Sequence, residues 1–172
     1  MTGVRRLSAA DFDNHVPGLA DLFVDAVTSG ASLGFPAPFE HEAAARWWRE
    51  QESAVVAGER VVFVSCGAGR VDGTVSLSFE RMPNARHRGN VGKLMVHRDA
   101  RGRGLGRTLL ATAEQAAAAA GVTLLLLDTE SGSAAEHLYR SAGWTCYGEV
   151  PGYAADTTGT ALRRCSFYYK PL

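Results

Sequence analysis

A single layered α/β domain, with about seven strands in a mixed sheet and about four helices, is the fold that this sequence predicts. Three observations carry that expectation. The 172 residues, 46% hydrophobic and 21% charged, are enough to bury one core without disulfide or metal staples. Strand-like and helix-like periodicities are interspersed, with helices at both early and central positions, which is the pattern of a sheet covered by helices. No internal repeat or low-complexity linker divides the chain, so residues 1–172 form one domain.

The elements follow in order. Val4 to Leu7 reads as an edge strand, and Ser8-Ala9-Ala10-Asp11 resembles a capping box that opens a helix. Leu19, Leu22, Phe23, Ala26 and Val27 give that helix one apolar face, and Ser29-Gly30 stops it. The loop Gly30 to Pro38 mixes glycine with proline, a composition suited to an ordered rim over a site. A second helix from Glu40 carries Ala43, Trp47 and Trp48 on one side. Val61 to Cys66 and Gly73 to Phe79, joined by Gly67-Ala68-Gly69-Arg70, form a hairpin. Val91 to Val96 is the next strand, and Gly92 permits a bulge. A long helix runs from Leu105 to about Ala120, closed by Gly121. Thr123 to Asp128 is a buried strand, Ser133 to Ala142 a short helix, and Thr145 to Val150 and Ser166 to Lys170 the last strands.

Composition excludes several classes of function. The formal net charge is zero, so nothing draws the whole chain to nucleic acid or to a membrane surface. The three cysteines, Cys66, Cys146 and Cys165, form no C-x-x-C pair and fall on expected strands, which fits small buried hydrophobes in a reducing cytoplasm. Ser8, Asp11, Asp13 and Asn14 interrupt any apolar leader at the start. The most apolar stretch, Ala116 to Leu127, is too short to cross a bilayer. The histidines lack metal spacing and no serine sits in a G-x-S-x-G elbow, so neither a metal nor a covalent serine is expected.

Chemistry enters at Arg101-Gly102-Arg103-Gly104-Leu105-Gly106-Arg107-Thr108, a glycine loop between a strand and an amphipathic helix. Such glycines let the backbone approach a ligand, and successive N–H groups at a helix N-terminus attract phosphate. A Walker A loop is ruled out, because three residues rather than four separate Gly102 from Gly106 and arginine follows. A Rossmann fingerprint fits poorly, since the G-x-G-x-G spacing occurs late in a mixed sheet. Between Arg81 and Arg107 lie eight lysines and arginines and one acid, against ten and seventeen in the remainder. That basic stretch suits the phosphates of a nucleotide cofactor. Without interleaved aromatic residues it does not suit nucleic acid.

The loop resembles the R-x-x-G-x-G/A motif of the GNAT acetyltransferase superfamily, and Ala135-x-x-Leu138-Tyr139-x-x-x-Gly143-Trp144 is similar to the second signature of that family. The order of elements also resembles the GNAT fold from end to end. The final third, Leu127 to Glu130 with Gly148 to Tyr153, is similar to the tabtoxin resistance acetyltransferase, which acylates an amino acid toxin. One departure is Gly132, which stands where the family often has asparagine and puts that cofactor contact in doubt.

The resemblance implies a mostly antiparallel sheet and acetyl-CoA as cofactor, bound by residues 101–108 and by the backbone of Leu94, Met95 and Val96, whose amides would also meet the oxyanion. It implies that Tyr139 protonates the departing thiolate. Asp128, at the end of an apolar strand, is the first choice for the base that takes the ammonium proton, although it could instead cap the helix near Ser133 or merely bind the ammonium. Glu80 and Glu130 are alternatives, and Phe35 is a candidate substrate contact on the rim. The expected partner is a small-molecule amine, with no nucleic acid and no membrane, and a homodimer is compatible. Two other readings stay open: a non-catalytic acyl-CoA-binding module, and a peptide N-terminal acetyltransferase, which would need an open groove rather than a closed pocket beneath Phe35.

Overall fold

The computed structural model describes residues 3–67 and 69–172. Ala68 of the expected hairpin loop, and Met1 and Thr2, lie outside the described residues. The elements are β1 (Arg5–Arg6), α1 (Ala9–Thr28), α2 (His41–Arg49), α3 (Glu52–Val56), β2 (Arg60–Gly67), β3 (Arg70–Phe79), β4 (Arg88–Val96), α4 (Leu105–Ala119), β5 (Leu124–Glu130), α5 (Ala134–Ser141), β6 (Thr145–Ala155) and β7 (Leu162–Pro171). A short 3-10 turn, Arg98–Ala100, joins β4 to the glycine loop.

One seven-stranded sheet has the order β1-β2-β3-β4-β5-β7-β6. Every neighbouring pair is antiparallel except β4 and β5, which are parallel. The helices cover both faces. On β2, Val62 and Val64 join the core formed with α1 and α2, around Phe12, Phe23 and Trp48, whereas Val61 and Phe63 join the core formed with α4, around Leu109, Leu110 and Tyr168. A strand buried on both faces reads as a continuous apolar run, which is what residues 61–64 show.

Local signals in the sequence act as expected. Ser8 Oγ accepts the Asp11 N–H at 3.1 Å and caps α1. The Asp11 carboxylate reaches back to the Ser8 hydroxyl at 2.8 Å rather than to its amide, so the capping box is half formed. Ser133 Oγ accepts the Glu136 N–H at 3.1 Å and caps α5.

Several details differ from the sequence reading, among them that β3 begins at Arg70 rather than Gly73 and β4 at Arg88 rather than Val91. The α2 face that is buried carries Ala44, Ala45 and Trp48, with Trp47 at its border. The short α3 was not expected. The final strands are longer than 145–150 and 166–170, because β6 is an edge strand. There Pro151 removes no needed donor, and bulges between Cys146 and Gly148 and between Val150 and Ala154 absorb the irregular residues.

Candidate active site

The site begins where the parallel pair comes apart. Pairing of β4 with β5 runs through Arg88↔Leu124, Gly89↔Leu125 and Asn90↔Leu126 and goes no further, so beyond Asn90 and Leu126 the two strands diverge into a cleft. A bulge on β4 helps to open it. Thr74 of β3 lies opposite Met95 and Ser76 opposite Gly92, so one residue between them on β3, Val75, faces two on β4, Lys93 and Leu94, and Lys93 takes a left-handed φ of 50°. Bulges bend and twist the strand that carries them.

At the open end of β4, the glycine loop turns into α4. Gly102 and Gly104 have φ of 73° and 79°, a region that costs side-chain-bearing residues free energy. A methyl group at either would meet no protein atom within 4 Å, so the open space faces outward from the chain. Gly104 is the N-cap of α4 and offers no side-chain cap. The helix N-terminal amides are therefore available to an anion, with the positive end of the helix dipole behind them. These features fit the pyrophosphate of coenzyme A.

A cavity of ≈ 320 Å³ leads from this loop and is lined by Leu94, Met95, Val96, Arg101, Gly102, Gly104, Leu105, Gly106, Ala135 and Leu138, among others. Its apolar wall suits a pantetheine arm. Other sequence candidates support the loop instead of lining that cavity: Arg107 Nη2 donates to Ser141 Oγ at 2.7 Å, and Thr108 Oγ1 donates to Gly104 O at 3.2 Å. Arg103 has no side-chain partner among the described residues and is exposed, free to meet a phosphate.

Asp25 of α1 braces the loop, a role not visible in the sequence. It accepts the Arg98 N–H at 3.1 Å, pairs with the Arg98 guanidinium, and lies 3.9 Å from Arg101. Burial works against its ionisation, but the Arg98 hydrogen bonds outweigh it and hold the carboxyl below its ordinary range. Arg101 Nε also donates to Val96 O at 3.0 Å, which fixes the loop to the end of β4.

Deeper in the cleft, Tyr139 and Asp128 line one cavity of ≈ 420 Å³ together with Lys93, Leu94, Arg101, Glu130 and Ala135. Tyr139 is 6% exposed and packs beside Trp144 and Tyr168. Burial, with the Asp128 charge adding to it, pushes the phenol well above its ordinary value, so it retains its proton. Its hydroxyl has no hydrogen-bond partner among the described residues. Asp128 does not cap α5, since Ser133 does. Its one hydrogen bond comes from the Cys165 thiol, at 3.6 Å.

The helix that presents Tyr139 is held by a buried network. Glu136 accepts the Gly132 N–H at 2.6 Å, the Tyr168 hydroxyl at 2.7 Å and Arg140 Nη2 at 3.2 Å. Gly132 has a φ of 80°, a conformation that asparagine tolerates and glycine adopts freely.

A further pocket of ≈ 280 Å³ adjoins this cavity at Lys93, Asp128 and Glu130 and extends between the 32–34 segment and the β6–β7 residues Tyr153, Arg163, Arg164 and Cys165. Lys93 Nζ donates to Leu33 O at 3.0 Å and lies 4.9 Å from the Trp47 ring centre. Ala37 N–H donates to Thr157 O at 2.6 Å, joining the 30–38 loop to the β6–β7 turn. Phe35 is turned into the core against Phe23 and Phe39 and anchors this loop from beneath.

Glu80 is placed elsewhere. It accepts the amides of Arg81 and Met82 and sits beside Arg88, at the opposite end of β4 from the glycine loop. Cys66 and Cys165 are at least partly buried, but Cys146 is exposed, because β6 is an edge strand.

The comparisons agree with this geometry. A family model described as the Acetyltransferase (GNAT) family matches residues 18–144. A crystal structure of ribosomal-protein-alanine N-acetyltransferase from Brucella melitensis is 26% identical, with a TM-score of 0.75 over 98% of this chain and 99% of that one. The putative acetyltransferase yncA from Salmonella typhimurium, solved with acetyl-CoA, is 22% identical, with a TM-score of 0.75 over 100% and 94%. A phosphinothricin acetyltransferase from Sinorhizobium meliloti, in complex with acetyl-CoA, is 20% identical, with a TM-score of 0.76 over 99% and 88%. With the glycine loop, the parted strands and more than half of the chain matched, the protein belongs to the GNAT family and is an acetyl-CoA-dependent acetyltransferase.

Proposed function

We propose that the protein acetylates the primary amine of a small, amino acid-like molecule by direct attack, with Tyr139 as general acid and Asp128 as base. The observation that carries the reading is that a protonated, buried phenol and a carboxylate with no ion pair among the described residues line one cleft beside the glycine-loop cavity.

Acetyl-CoA, when bound, supplies a thioester whose sulfur leaves as a thiolate. Leu94, Met95 and Val96 flank the apolar cavity and their backbone amides orient the acyl group. Asp128 takes a proton from the acceptor ammonium, which frees the nitrogen lone pair to form the C–N bond as the C–S bond breaks. Tyr139 gives its proton to the sulfur, the second proton that the nitrogen sheds on becoming an amide restores the Tyr139 phenol, and the proton held by Asp128 passes to solvent. The 32–34 segment and Lys93 line the acceptor side of the same cleft.

The bridge from Ala37 to Thr157 favours a small acceptor. An extended peptide, as in the protein that the Brucella neighbour is named for, needs an open groove at that position. A small molecule, as in the name of the Sinorhizobium neighbour, does not. The test is titration calorimetry with acetyl-CoA followed by turnover on matched panels of amino acids and N-terminal peptides. Binding with turnover of peptides alone would replace the small-molecule reading, and binding with no turnover of any amine would leave an acyl-CoA-binding module.

A further inference from the structure

We infer that the acceptor carries, besides its amine, an anionic group several bonds away, and that Arg163 holds this anion while Asp128 and Glu130 hold the amine. The inference rests on the acetyl-transfer reading of the same site.

Opposite charges line the second pocket at separate places. On β5, Asp128 and Glu130 are two residues apart and share one face of the strand. Neither forms an ion pair among the described residues. Cys165 does not compete for an incoming ammonium: burial, with the Asp128 charge, pushes its thiol up to about 11, so it stays neutral. Two unpaired carboxylates at the cleft make a seat for a cationic amine next to Tyr139.

At the hairpin end, Arg163 shares the strand face of Cys165, whose thiol reaches Asp128, and has capacity to spare. A guanidinium offers five N–H donors. Arg163 uses one on Asp156 at 3.3 Å, which draws it toward the turn, and that carboxylate already accepts the Thr158 hydroxyl at 2.7 Å and the Thr160 N–H at 3.1 Å. Arg164, the next residue, points to the other face, where it pairs with Glu149 at 3.0 Å. Lys93 is a third cation on the opposite wall, but Leu33 O and the Trp47 ring occupy it.

Register gives the spacing. Asp128 lies opposite Phe167 and Glu130 opposite Cys165. Arg163 is therefore four residues along β7 from the Asp128 position, about 13 Å of strand, and two residues, about 7 Å, from the Glu130 position. A carboxylate on the carbon next to the amine is too close to reach both ends. An anion further along the acceptor is required, and bidentate recognition by arginine suits a carboxylate, phosphinate or phosphonate alike.

Matched probes decide the matter: L-glutamate against L-glutamine and γ-aminobutyrate against γ-aminobutyramide, each by acetyl-CoA turnover and by calorimetric binding to the protein loaded with coenzyme A. The expected result is a preference of about tenfold or more for the anionic member of each pair, and collapse of that ratio toward unity in Arg163→Gln but not in Arg164→Gln, whose side chain lies on the other face of the strand. Thermal unfolding of the variants separates misfolding from a lost contact, and Arg163→Lys, which keeps the charge, should retain part of the preference. Equal treatment of acid and amide, no binding of either anionic probe, or a preference that survives Arg163→Gln would overturn the assignment. If acids bind better than amides but no amine is turned over, the acetyl-transfer reading fails and the anion subsite stands.

Discussion

Removing one oxygen from Tyr139 separates a catalytic phenol from a packing one. In Tyr139→Phe the ring keeps its contacts with Trp144 and Tyr168, 6.0 and 6.4 Å between ring centres. The hydroxyl has no partner among the described residues, so no buried acceptor is orphaned when it goes. The stability change should stay within about 1 kcal/mol, which for a chain of this size moves Tm by no more than about 4 °C. Loss of a general acid instead lowers kcat by roughly 10²-fold, about 2.7 kcal/mol of transition-state stabilisation. Tyr139→Ala is the contrasting variant, since truncating a buried aromatic costs about 3–5 kcal/mol of stability.

The assays are thermal unfolding, acetyl-CoA affinity by calorimetry, and release of free thiol with a turned-over amine. Tyr139→Phe should retain fold and cofactor affinity and lose turnover. The pH profile adds a second reading: burial raises the phenol pKa, so wild-type turnover should show no loss from tyrosine ionisation near its ordinary value of about 10. Unchanged kcat in Tyr139→Phe, or an alkaline limb near pH 10 that vanishes in the variant, would refute the role given to a buried, protonated acid.

Three further changes probe the rest of the site. Gly104→Ala puts a side chain at a φ of 79°, a cost of about 1–2 kcal/mol, and if the loop relaxes when empty, coenzyme A should bind about 5–30-fold more weakly by calorimetry. Glu136, whose carboxyl is held down to about 2 by the Gly132 amide and the Tyr168 hydroxyl against the opposing effect of burial, stabilises the fold above its unfolded value of about 4.3. That contribution should fade as pH falls from about 4.3 toward 2, and Glu136→Gln should flatten the acid limb of an unfolding curve while costing about 1–3 kcal/mol at neutral pH. Lys93→Met removes the tie to Leu33 and should raise the acceptor KM about tenfold, read from steady-state kinetics at saturating acetyl-CoA.

What was legible in the sequence is what depends on neighbours along the chain. Residues 101–108 announce a phosphate loop because glycine spacing and a following helix are local, and Ser8 and Ser133 announce helix starts for the same reason. Tyr139 is legible through the family signature around it and Asp128 as the end of an apolar strand, and the structure brings both to one cavity. Residues whose role depends on a distant partner were not found. Asp25 matters only because Arg98 and Arg101 arrive beside it, and Lys93 only because Leu33 and Trp47 do. The basic run from Arg81 to Arg107 misleads in the opposite sense. Its residues are near in sequence, yet Arg81 and Arg88 pair with Glu59 and Glu80 at one end of β4 while Arg101 and Arg103 belong to the loop at the other. Proximity in a list of letters is not proximity across a strand of nine residues.

The one parallel pairing in an otherwise antiparallel sheet explains why the two halves of the site can serve different ends. Parallel neighbours need a crossover, and here the crossover is the glycine loop with α4, which places a helix N-terminus at the open end of β4. Parting of the two strands beyond Asn90 and Leu126 then gives the cofactor a cleft made largely of backbone and apolar side chains. On the proposed reading the acceptor end is built from other parts: the 32–34 segment, Lys93 and the long β6–β7 hairpin, with charges contributed by side chains. Backbone geometry then fixes the first half, whereas exposed side chains on an edge hairpin determine the second. Changes at Tyr153 or Arg163 should therefore redirect the choice of acceptor without disturbing the phosphate loop, and changes in the loop should weaken every acceptor alike.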